Sequence, residues 1–109
     1  MANTFTNYLN KNVPTTGATI VTASGGTQTT VIGLSCANIS TANTITADVY
    51  ITRSAVDYYL VKGATVPIGG SLVVVGGDQK VVLVAGDALK VVASANTSMD
   101  VVTSALVIS

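Results

Sequence analysis

Histidine, tryptophan and glutamate are absent from this 109-residue sequence, cysteine occurs once, and charged residues make up only 9%, five basic and five acidic. Each absence excludes a chemistry. Without imidazole there is no Ser-His-Asp or Cys-His constellation and no ordinary zinc site, which takes imidazole or several thiolates at close range. One cysteine makes no intrachain disulfide, so nothing implies an oxidising compartment. Cys36 lies in the apolar run Val31–Ala37, which predicts a small buried core residue rather than a reactive thiol. Lys11, Arg53, Lys62, Lys80 and Lys90 are scattered, and phosphate binding needs clustered cations, so no nucleic-acid partner is expected. The acids Asp48, Asp57, Asp78, Asp87 and Asp100 show neither an Asp-Thr-Gly nor an Asp-Ser-Gly motif. Nothing in their spacing brings two together as an acid and base pair, and a Ser-Lys dyad has no motif behind it. The expectation is therefore no catalytic residue, no cofactor and no metal. The N-terminus has neither a basic n-region nor an apolar h-region, and no apolar run approaches the roughly 20 residues that span a bilayer. The chain is expected to be made in the cytoplasm, without a signal peptide and without a membrane partner.

What is present is β-branched. Eighteen valines, seven isoleucines and sixteen threonines lose rotamer freedom in helices and fit a pleated sheet. A chain of this length forms one domain and buries roughly 65% of its unfolded surface, enough for a core without disulfides. Residues 1–16 read as a polar arm or edge strand anchored by Phe5, Tyr8 and Leu9 and ended by Pro14. Residues 17–109 read as the main domain. Its segments are Ala18–Ala23, Thr29–Ala37 with Ile32, Leu34 and Cys36 on one face, Thr44–Arg53, Tyr58–Val61, Ser71–Val75, Lys80–Val84, Ala88–Ser94 and Val101–Ile108. In Thr44–Arg53, Ile45, Ala47, Val49 and Ile51 alternate with Thr46, Asp48, Tyr50 and Thr52, the period-two signature of a half-buried strand. A turn at Ser54–Asp57 leads to Tyr58–Val61 as a hairpin partner. Eight or nine short strands at such spacing, with almost no helix, predict a single all-β antiparallel sandwich, jelly-roll-like.

Gly77-Asp78 and Gly86-Asp87 each precede a Lys and two valines. Two partial copies do not make a calcium-binding β-roll, and they read as Gly-Asp turns into successive hairpin strands, where Asp bonds its own backbone. Asp57, Asp78 and Asp87 are thus expected as solvated turn residues. Tyr58-Tyr59 should place one ring in the core and one at the rim, or anchor another subunit. The collective signal is stronger. Val73–Val75, Val81–Val84, Val91-Val92 and Val101-Val102 are apolar on both faces, whereas a two-layer sandwich has one interior. Some of these faces must be covered from outside, so the chain is expected to work in an assembly, with Phe5, Tyr8, Leu9, Tyr58 and Tyr59 as candidate interface residues. The alternative is a carbohydrate-binding or adhesive module with an aromatic platform at Tyr58 or Tyr59.

Val49–Arg53, Tyr58–Lys62, Val66-Pro67-Ile68-Gly69-Gly70-Ser71-Leu72, Val82–Val91 with its Leu-Val-Ala-Gly-Asp-Ala-Leu turn, and the closing Val101–Ile108 resemble small β-sandwich virion proteins of tailed bacteriophages, cyanophages among them. The resemblance covers roughly residues 30–108 and rests on turn chemistry. It implies a virion structural part, a capsid decoration or cement protein or a neck, tail or baseplate component. The implied partners are copies of itself and a major capsid or tail protein, and no catalytic residues are carried over.

Overall fold

Among the described residues, the alternation of β-branched and polar residues is realised as nine strands. The computed structural model describes residues 3–76 and 79–108; Asp78 and its expected turn lie outside the described residues. The strands are β1 (Asn3–Asn10), β2 (Ala18–Thr22), β3 (Gln28–Asn38), β4 (Ile45–Arg53), β5 (Val56–Val66), β6 (Ser71–Val75), β7 (Val81–Leu83), β8 (Ala88–Ala93) and β9 (Met99–Ile108). They form a five-stranded sheet, β1-β9-β3-β6 with β7 also on β3, packed on a four-stranded sheet, β2-β8-β4-β5. Every strand pairing is antiparallel. The pairs β4/β5, β3/β6, β2/β8 and β1/β9 are nested, so the chain is one long hairpin folded at the β4–β5 turn and coiled into two layers, which is a jelly roll.

The core lies between the layers. Leu34, Ile45, Leu83, Leu89 and Met99 are its largest fully buried side chains, with Val31, Val49, Val75, Val91 and Val101 among them. Each contributes roughly 1.5–3 kcal/mol through burial. Ile45, Ala47 and Val49 are buried as the alternation of β4 requires. In β3 the alternation fails at one residue. A register shift between Val31 and Gly33 inserts an extra residue, as a β-bulge does, so Val31 faces the core beside Leu34 and Cys36 while Ile32 is only half-buried.

The β4–β5 connection is tighter than Ser54–Asp57. Arg53 pairs with Val56, leaving Ser54 and Ala55 as the turn, with φ of 53° and 62°. Hairpin turns with two positive φ values favour Asn-Gly, and an alanine held there is strained by roughly 1 kcal/mol. Replacing Ala55 with glycine is therefore expected to stabilise the protein by roughly 0.5–1 kcal/mol, read as a higher urea midpoint at unchanged slope.

β7 and β8 are not successive hairpin strands. β7 pairs with β3 and β8 with β2 and β4, because the Ala85-Gly86-Asp87 turn carries the chain from one layer to the other. Asn3–Asn10 forms an edge strand in unbroken register with β9. The lead-in is fastened further by Val13, which is buried and donates its N–H to the Met99 carbonyl at 2.8 Å.

Candidate assembly surface

Facing partners in an antiparallel sheet project to the same side, so the register alone maps the outer surface of the five-stranded sheet. One row across it runs Leu9, Val102, Ser35, Val73; a second runs Phe5, Leu106, Thr30, Val82. Between them lies a row of small side chains, Asn7, Ser104 and Gly33. Shallow depressions open over this middle row, one lined by Phe5, Ile32 and Ser104 and another by Gly33, Val73 and Val102. None of the residues in the three rows is charged. Phe5 is 75% exposed, Leu9 70%, Val73 66%, Val82 54% and Val102 49%, values that place these side chains in water rather than in the core. At about 4.8 Å between strands and 3.4 Å per residue, the three rows cover on the order of 300 Å². That is comparable with the largest apolar patch on a typical monomer, which is often functional. At one end of the face Lys11 Nζ meets Asp100 Oδ2 at 2.9 Å.

The outer surface of the four-stranded sheet is different in kind. Asp48, Tyr50 and Thr52 of β4 project there beside Tyr59 of β5 and Lys90 and Val92 of β8, following the register. Asp48 accepts the Gly63 N–H at 2.6 Å, at a β5 residue whose φ of 67° suits glycine. The Tyr50 and Tyr59 rings pack at 5.0 Å, tilted by 39°, and Lys62 Nζ lies 4.3 Å from the Tyr59 ring centre. Val92 is half-buried, so the Val91-Val92 stretch is covered within its own chain. The other three valine stretches each leave a residue on the outer side exposed.

The five candidate interface residues therefore separate. Phe5 and Leu9 lie on the apolar face. Tyr8, opposite Thr103, turns inward and packs against the core. Tyr59 lies on the charged face, and Tyr58 turns the other way, over a cleft at the rim. Both tyrosines are exposed, so neither is a core ring.

The rim cleft, about 240 Å³, is lined by Ile51, Arg53, Tyr58, Val82 and Asp87. Asp87 is not a solvated turn residue. It is 1% exposed, and its carboxylate takes Arg53 Nε at 2.6 Å, Arg53 Nη2 at 2.8 Å and the Val84 N–H at 3.1 Å. The crossing turn explains the burial: Gly86 donates to the Ala23 carbonyl and Ala23 donates to the Asp87 carbonyl, both at 2.9 Å, which seats the carboxylate under the end of β4. The Arg53 hydrogen bonds hold the Asp87 carboxyl below its ordinary 3.8, against the opposing effect of burial and with help from the Val84 N–H. A carboxylate so committed is a poor proton donor or acceptor near neutral pH. Among the described residues it is the one carboxylate that lines the cleft, and no group of three metal-ligating side chains occurs among them.

No family model, curated protein or solved structure matches this chain. Cys36 is fully buried and burial pushes its thiol up to about 11. Since the thiolate is the reactive form, a maleimide at pH 7 is expected to leave the native protein unlabelled and to label it fully in guanidinium. Labelling without denaturant would mean the five-stranded sheet opens at β3.

Proposed function

We propose that this chain is a non-enzymatic structural subunit of a tailed-phage virion, a decoration or cement protein that lies on the capsid and strengthens it through subunit contacts. The observation that carries the reading is the uncharged, apolar outer face of the five-stranded sheet, set against a charged face on the other layer. A monomer in water gains nothing from leaving Phe5, Leu9, Val73, Val82 and Val102 exposed; a subunit laid on another protein buries them, and loses no charge hydration in doing so. The turn motifs around Pro67–Leu72 and Leu83–Leu89 support the same class through their resemblance to phage virion proteins. Jelly rolls serve in virus capsids and in lectins alike, so the fold does not choose between them. The aromatic platform that a carbohydrate-binding module needs is poorly provided here. Tyr59 packs against Tyr50 with Lys62 near its ring, and Tyr58 stands at a cleft rim. A neck, tail or baseplate position would use the same apolar face.

Gold-labelled antibody against the chain, applied to particles from a lysate that contains it, tests the proposal. Label over the shell supports cement, and label at the vertex or along the tail supports the second position. Bare particles with the chain left in the supernatant would overturn both.

A further inference from the structure

An edge strand presents unpaired N–H and C=O groups, and proteins usually protect such edges with short strands, bulges, charges or proline. Three of the four edges here carry such protection. β2 has five residues and a register shift at Thr19–Val21. β5 has register shifts opposite Ala47–Tyr50 and carries Asp57 and Lys62. β6 and β7, which share the far edge of the five-stranded sheet, have five and three residues. β1 has eight residues in continuous register with β9, without a bulge, a charge or a proline. We propose that β1 pairs antiparallel with β1 of a second copy of this chain, about a two-fold axis through Asn7, so that two five-stranded sheets become one.

The residue pattern selects that register. Centred on Asn7, the pairing sets Phe5 against Leu9 of the other copy, twice, with Asn7 facing Asn7; seven of the strand's eight residues, Thr4–Asn10, find partners within the strand. A shift by one residue sets the outer face of one strand against the inner face of the other. A shift by two toward either end sets Phe5 or Leu9 against Asn7. Only the centred register matches apolar with apolar throughout, and cross-strand aromatic and aliphatic pairs stabilise a sheet. It also makes the two surfaces continuous. The row Leu9, Val102, Ser35, Val73 runs on into Phe5, Leu106, Thr30 and Val82 of the second copy. The joint apolar face is twice that of one copy, on the order of 600 Å². The pairing does not depend on the virion reading, and fails or stands separately from it.

Asn7→Cys and Ser104→Cys test it, because Cys36 is buried and each variant adds one exposed thiol. In the proposed pair the two copies of residue 7 face each other. The two copies of residue 104, one strand further in, stand about 14 Å apart at roughly 4.8 Å per strand. With a mild oxidant, Asn7→Cys is expected to yield a covalent dimer within minutes and Ser104→Cys to remain monomeric on a non-reducing gel. Dimer from Ser104→Cys and not from Asn7→Cys would mean face-to-face stacking and would overturn the edge pairing. Analytical ultracentrifugation then reads the register. Phe5→Lys with Leu9→Lys should give monomer and Phe5→Lys with Leu9→Asp should restore the dimer. Equal behaviour of the two double variants, or a wild-type chain that stays monomeric at hundreds of micromolar, would also overturn it.

Discussion

Replacing Asp87 with alanine is expected to lower stability by about 3 kcal/mol: the stranded Val84 N–H and the lost charge-assisted hydrogen bonds cost this much, while Arg53, more than half exposed, regains water and offsets the rest. The side chain is buried, and the variant removes its contacts to Arg53 and to the Val84 N–H together. For a domain whose whole stability is on the order of 5–15 kcal/mol this is a large fraction, and the melting temperature should fall by roughly 12 °C or more. The effect has a pH signature. The folded-state carboxyl is held below its ordinary 3.8, so the native state binds a proton less readily than the unfolded chain. The stabilisation is full above the ordinary value and is lost as pH falls through the depressed one. Wild-type protein should therefore lose melting temperature below about pH 4 more steeply than the Asp87→Ala variant. Part of the slope will persist in the variant, because Asp100 is also lowered: burial opposes its ionisation, but the Asn12 N–H and Lys11 outweigh it. Identical melting curves for wild type and variant from pH 7 to pH 2 would show that the buried pair contributes nothing.

The second large effect concerns the apolar face. Val73→Lys combined with Val102→Lys is expected to reduce retention on particles by at least about 100-fold. Two valines buried at an interface contribute roughly 1.5 kcal/mol or more each, and about 2.7 kcal/mol is already a factor of 100. Two ammonium groups left to desolvate make the loss larger. Both side chains point away from the core and are about half exposed or more, so circular dichroism and melting temperature should change little. Lys90→Thr, on the charged face of the other sheet, is the control and should leave retention unaltered. Retention that survives both lysines, or that falls equally in the control, would remove the face from the proposed function.

The strands were readable because their pattern is local. Ile45, Ala47 and Val49 declare the inner face of β4 within five positions, and the valine stretches show that some residues have no interior to go to. What was not readable depends on partners distant in the chain. The bulge that moves Val31 inward in place of Ile32 exists only against β9. Arg53 and Asp87 are 34 residues apart, and neither has a motif that names the other. The Ser54-Ala55 turn lacks the Asn-Gly signature that would have shortened it. Tyr58 and Tyr59 alternate as strand residues must, yet at the edge of a sheet both directions lead to solvent, so alternation alone could not place either ring.

β9 lies between β1 and β3 in the finished sheet, although it is made after both. During synthesis the earlier strands of that layer cannot close on each other, and must wait for the segment Met99–Ile108 to leave the ribosome. Closing a pair between β1 and β9 spans nearly the whole chain, so folding should be slow, as it is for folds dominated by distant contacts. Until that strand inserts, the valine-rich stretches are open to wrong neighbours. High-level expression should accordingly favour inclusion bodies at elevated temperature, and slower synthesis in the cold should recover native protein.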